Sequence, residues 1–150
     1  MPDINGRAAA ELAAGRKVLP DTQGESGRAV CEMPTTYTAA QNDTVGTGVI
    51  LKKGTRLLCP VTISNAANTA SLTLAVGLRN PVTKVATDAT AIAAATAITT
   101  AATQQVNTGT KLTAGQRYVL ESDQEIFFTL AGAAPTANAA IRVEVPYITA

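Results

Sequence analysis

Ala140-Ile141-Arg142-Val143-Glu144-Val145-Pro146-Tyr147-Ile148 alternates with almost no errors. Ile141, Val143, Val145 and Tyr147 fall on one side, and Arg142, Glu144 and Pro146 on the other. A period of two is the mark of a strand with one buried and one wet face. The stretch from Arg117 to Leu130 keeps the same period, with Tyr118 and Leu120 opening a meander, Ser122 to Gln124 as its tight turn, and Ile126, Phe128 and Leu130 as the next buried face.

Working back toward the N-terminus, further strands can be read. Ser71 to Leu78 places Leu72, Leu74, Val76 and Leu78 inward, and Asn80-Pro81 ends it as a turn, with a short strand expected over Val82 to Val85. Leu57, Cys59, Val61 and Ile63 share a face, while Pro60 lacks a ladder donor and so predicts a sheet edge or a bulge. Val45 to Leu51 is the first strand of the body, closed by a Lys52-Lys53-Gly54 turn. Thr87 to Thr103 is rich in Ala, which favours helix. Asp88 would cap it, so a short helix or irregular crossover is expected there. Gln104 to Asn107 reads as another strand. Seven or eight short strands with turns between them predict an all-β chain, a β-sandwich or jelly roll.

Residues 1–43 read differently. Ala8 to Ala14 suits a turn or two of helix stopped at Gly15, and Pro20, Gly24, Gly27 and Pro34 then interrupt any regular ladder. Val18, Leu19, Val30, Cys31, Met33 and Tyr37 give this part apolar anchors. The expected organisation is an extended N-terminal arm over 1–43, ordered by what it touches, and a sandwich body over 44–150.

Composition narrows the function. The formal net charge is +1, and charged residues make up 15% of the 150 residues, against roughly 25% in a typical soluble protein. No basic stripe marks a nucleic-acid binder. Solvent-facing positions fall largely to Thr, Ser, Ala and Asn, a surface suited to packing against other subunits. No apolar run reaches the ~18 residues that span a bilayer, and Met1 to Pro20 lacks the apolar segment of a signal peptide, so synthesis in a cytoplasm is expected. Cys31 and Cys59 are then expected to stay reduced, and the Asn42-Asp43-Thr44 sequon carries no meaning without a secretion route.

The candidate sites are few. With no histidine, a Ser-His-Asp or Cys-His arrangement is impossible. Two distant cysteines are too few for zinc. Glu121, Asp123 and Glu125 form the one acidic cluster, with the oxygen chemistry that calcium takes, but alternation puts all three on an exposed turn face. Gly46-Thr47-Gly48 lacks the third glycine of a dinucleotide fingerprint and reads as a pliant strand entry. Lys52, Lys53 and Arg56 are a hydrated hairpin tip or, less readily, a dock for an acidic surface. Aromatics are 3%, leaving Tyr37, Phe127 and Tyr147 as the rings a glycan could use. No catalytic, cofactor-binding or metal-ligating residue is assigned, and an enzyme is not expected.

Leu51-Lys52-Lys53-Gly54-Thr55-Arg56-Leu57-Leu58 resembles a phrase found in small β-rich structural proteins of tailed bacteriophages. Tyr118 to Glu125 with Ile126-Phe127-Phe128-Thr129-Leu130, and the loop Gly132-Ala133-Ala134-Pro135-Thr136-Ala137 leading into Ile141-Arg142-Val143-Glu144-Val145, extend that resemblance over roughly 44–150. It implies a virion component, most plausibly a capsid decoration (cement) protein on the outside of the head. The implied partners are the major capsid protein and copies of the chain itself as a homotrimer, with no nucleic acid and no membrane. A head-tail or tail accessory protein is the alternative, followed by a carbohydrate-binding sandwich.

Overall fold

The computed structural model describes residues 26–113 and 117–149. Within them the chain is all β, two antiparallel sheets laid face to face, with no helical segment. The strands are β1 (Ser26–Glu32), β2 (Thr44–Leu51), β3 (Arg56–Leu57), β4 (Val61–Asn65), β5 (Thr73–Arg79), β6 (Ala86–Ala97), β7 (Ala102–Val106), β8 (Tyr118–Val119), β9 (Gln124–Ala131) and β10 (Ile141–Ile148).

The alternating stretch quoted first is the spine of one sheet. One edge of β10 pairs with β1 from Ser26↔Ile148 to Glu32↔Arg142. Its other edge pairs with β4 in its first half and β3 in its second, and β7 and β8 lie beyond these. Between β3 and β4 the register slips by two residues, where Pro60 and Pro146 both withhold an N–H from the same stretch of ladder. Leu58 N–H, donating to Pro146 O at 2.9 Å, holds the gap. The predicted bulge at Pro60 is thus present, on an inner strand pair.

The second sheet runs β2-β9-β5-β6. Leu72, Leu74, Val76, Ile92, Ile126, Phe128 and Leu130 meet Leu57, Val61, Ile63, Ile141, Val143 and Val145 in a core of small aliphatic groups around one fully buried ring. Burying such side chains stabilises by about 1.5–3 kcal/mol each.

Four expectations are corrected. Thr87 to Thr103 holds no helix: β6 covers most of it and is bound to β5. The helix propensity of Ala is worth only tenths of a kcal/mol per residue, and Ala91, Ile92 and Ala93 gain complete burial as a strand. Asp88, the expected cap, accepts from Thr90 N–H and Oγ1 and from Thr110 Oγ1 instead. Tyr118 to Leu130 is no hairpin, because β8 and β9 lie in different sheets and the chain crosses between them at Leu120 to Asp123. Val82 to Val85 is a loop rather than a strand, its turn held by Asn80 Oδ1 accepting from Val82 and Thr83 N–H.

The expected arm of 1–43 is described only from Ser26 onward. There, residues 26–32 are a strand of the sheet, with Ala29, Cys31 and Met33 in the core. The helical turn expected over 8–14 lies outside the described residues. Gly54, at φ 88°, supplies the positive φ that the predicted Lys52-Lys53-Gly54 turn needs.

Candidate functional site

The polar side chains gather into structural locks. The most developed sits on the outer face of the β2-β9-β5-β6 sheet, at Glu125, whose residue is only 2% exposed. Its Oε2 accepts from Arg79 Nε at 3.0 Å and Lys84 Nζ at 2.7 Å. Its Oε1 accepts from Arg79 Nη2 and Gly48 N–H, each at 3.2 Å. The Arg79 guanidinium lies 5.4 Å from the centre of the Phe127 ring. One carboxylate thereby ties β9 to β5, to the Asn80 to Val85 loop and to the break in β2. The Arg79 hydrogen bonds hold Glu125 down at about 2 against the opposing effect of burial, with help from Lys84 and Gly48.

The Gly46-Thr47-Gly48 segment serves this lock. The β2–β9 register slips by two residues between Gly46 and Ile50, which turns Gly48 N–H toward the carboxylate. A Cβ on Gly46 would run into the Arg79 guanidinium and Glu125 Oε1, so a larger residue there would push the pair aside.

The acidic cluster is dispersed. Glu125 is buried and fully engaged, Asp123 is half-exposed, and Glu121 is exposed. Asp123 meets the expected basic tip: it accepts from Lys53 N–H at 2.9 Å and pairs with Lys52 Nζ at 3.2 Å, and these contacts lower its pKa. The two sequence candidates at that end satisfy each other. Among the described residues no three of His, Cys, Asp and Glu converge as metal ligands.

The rings offer no glycan platform. Phe127 is 3% exposed beneath Arg79. Tyr37 is half-buried and donates its hydroxyl to Ala139 O at 2.6 Å, and Tyr147 is half-buried against Gly27. Cys31 is a free thiol that burial pushes up to about 11, opposed by a hydrogen bond with Thr47, and Cys59 Sγ donates to Leu112 O at 3.1 Å.

A concavity of about 690 Å³ opens at the end of the sheet where β1 and β4 finish and β10 begins, lined by Glu32, Thr35, Ser64, Thr103, Asn138 and Arg142 among others. It holds one cation and one anion with hydroxyls and no ring, and it carries no nucleophile–base pair. The Glu125 lock, by contrast, was half legible: the acidic residue stood out, but its partners Arg79 and Lys84 lie 46 and 41 positions away and only the β5–β9 pairing brings them together.

No family model matches the chain, and no curated protein matches it. Solved structures do share the fold. A chain of the cyanophage Pam1 capsid asymmetric unit superposes at TM-score 0.63 with 18% identity, covering 100% of both chains. A chain of the Ralstonia phage GP4 capsid gives TM-score 0.63 and 18% identity over 89% of this chain and 90% of that one. A chain of the acidic stable capsid of Helicobacter pylori bacteriophage KHP30 gives TM-score 0.50 and 15% identity over 84% and 89%. At these identities the likeness is one of fold.

Proposed function

We propose that this chain is a structural protein of a tailed-phage capsid, binding the outside of the head and cementing neighbouring major capsid subunits, without catalysis. The observation that carries the reading is the match, over 100% of both chains, to a chain of the Pam1 capsid asymmetric unit. The polar inventory supports it. Buried charge is consumed in locks that stiffen the sandwich, and the surface is sparse in charge, as suits repeated contact with other subunits. A near-neutral chain has no reason to seek packaged DNA on the inner side.

Symmetric repetition on a shell multiplies a modest contact. Copies of the chain are accordingly proposed to associate, as the homotrimer that the family resemblance implies. Residues 1–25 are proposed to add contact to a neighbouring subunit. Co-sedimentation with purified shells that lack the chain tests the reading. Saturable binding at a fixed ratio to the major capsid protein, with shells that resist heat better once loaded, is expected. Absence of binding to shells, with binding to tails instead, would favour the tail accessory reading. Deletion of 1–25 should lower shell affinity and leave the melting temperature unchanged; undiminished affinity would remove the arm from the account.

A further inference from the structure

We infer that the loop from Asn80 to Val85 is a preformed peg, seating Val82 and Val85 in an apolar socket rimmed with carboxylates on a shell subunit. This rests on the capsid reading above and names the surface that serves it. Val30, Ile50, Val82, Val85 and Val119 are the large apolar residues that stay exposed among the described residues. All but Val30 gather at one end of the sandwich. Ile50 lies opposite Glu125, Glu125 opposite Arg79, and Arg79 opposite Ala86, where the loop joins β6. Val119 lies opposite Arg56, and the short connections 51–55 and 120–124 join that pair to the first row. Scattered apolar residues need no explanation, but a gathering of them marks a contact surface. Val82 and Val85, at 85% and 67%, are the most exposed of the five.

The loop is built to hold still. Asn80 Oδ1 accepts from Val82 N–H at 2.8 Å and Thr83 N–H at 2.9 Å. Asn80 O accepts from Lys84 N–H at 3.0 Å, and Asn80 N–H donates to Val85 O at 2.9 Å. Lys84 takes φ 60°, uncommon for a residue with a Cβ, and its Nζ is held on the buried Glu125 at 2.7 Å. A loop ordered beforehand loses little conformational freedom on docking, so more of its apolar surface is realised as affinity. Charge identifies what covers it. At this end Lys52, Lys53, Arg56, Arg79 and Lys84 stand against Glu121, Asp123 and Glu125. Arg79 and Lys84 share a single carboxylate, and Lys53 and Arg56 have no ion pair among the described residues. Such a cationic end repels itself where copies meet about a symmetry axis and is drawn to an acidic surface. Size points the same way. A loop of this length falls far short of the roughly 800 Å² per partner that holds free proteins together, whereas repetition on a shell multiplies it.

Co-sedimentation of the full chain with purified shells that lack it tests the inference. The variants are Val82→Ser with Val85→Ser, Lys53→Gln with Arg56→Gln, and Val30→Ser as a valine exposed elsewhere. The valine pair variant should melt as the parent does, because both side chains stand in water, and should bind shells at least tenfold more weakly. The Lys53→Gln, Arg56→Gln variant should bind more weakly than the parent and lose less of its affinity as salt is added. Val30→Ser should bind as the parent does. Parental binding that the valine pair variant keeps, or that Val30→Ser lowers as much, would overturn the inference and leave the capsid reading standing. An unchanged salt dependence in the Lys53→Gln, Arg56→Gln variant would overturn the carboxylate rim. A parent that ignores shells would remove the capsid reading and the inference with it. A free parent that self-associates, and that ultracentrifugation shows dissociated in the valine pair variant, would assign the loop to a second copy and overturn the shell socket.

Discussion

The two flanks of the sandwich are built differently. On the β6–β7 flank the sheets are stitched together. Asn65 Nδ2 shares its hydrogens among Ala66 O, Ile98 O and Thr100 O, Gln104 Nε2 donates to Ala97 O, and Thr110 and Lys111 N–H donate to Thr90 O and Ala91 O along the edge of β6. On the β1–β2 flank two edge strands of opposite sheets run side by side, and among the described residues Cys31 and Thr47 share a hydrogen bond across the sheets there. A buried polar group left without a partner is costly, so the closed flank spends its backbone groups internally, whereas on the open β1–β2 flank the outward backbone groups of β1 find no backbone partner among the described residues.

Both flanks hang on one core, so a core lesion should not distinguish them. Phe128→Ala should cost ~3–5 kcal/mol and slow-exchanging amides of β1 and β6 should be lost together. A melting temperature like the parent's would contradict the inward assignment of β9, and separate losses would mean that the flanks unfold independently.

The Glu125 lock spans the outer sheet toward the open flank and should show itself in acid. Its folded pKa, about 2, lies below its ordinary 4.5, so the stabilisation is full above pH 4.5 and is lost as pH falls through about 2. Glu125→Gln should therefore cost about 3 kcal/mol at neutral pH and flatten the acid dependence of stability between those limits. An unchanged acid profile, read from urea midpoints at a series of pH values, would remove the lock.

Asn65→Ala tests the closed flank itself. It strips the donor from three carbonyls and should cost ~1–3 kcal/mol, with amide exchange accelerated at β6 and β7 and not at β1. Val82, 85% exposed in the Asn80 to Val85 loop, sets the floor: Val82→Ser should change stability by less than ~0.5 kcal/mol.

The asymmetry between flanks follows the limits of the sequence. β10 was legible because one buried face imposes alternation on it, and β5, buried on both sides along Leu74 to Leu78, still showed its larger inward set of Leu74, Val76 and Leu78. Buried on both sides along Gln124 to Phe128, β9 still showed its inner set. The open flank's β1 was hidden by Gly27 and Pro34, and its membership rests on partners 116 positions away in β10, exemplified by the Arg28–Glu144 pair. β6 was hidden by local preference, since Ala-rich sequence reads as helix until β5 supplies a ladder. Among the site residues, Glu125 was visible as an acid but misplaced on a wet turn, because nothing local to it reveals Arg79 above it.

A reconstruction of the phage particle that contains this chain tests the central proposal most directly. The account predicts density for the whole sandwich on the outer surface of the head, spanning the seams between major capsid subunits. Density confined to the tail or to the head-tail junction, with a bare head surface, would contradict it.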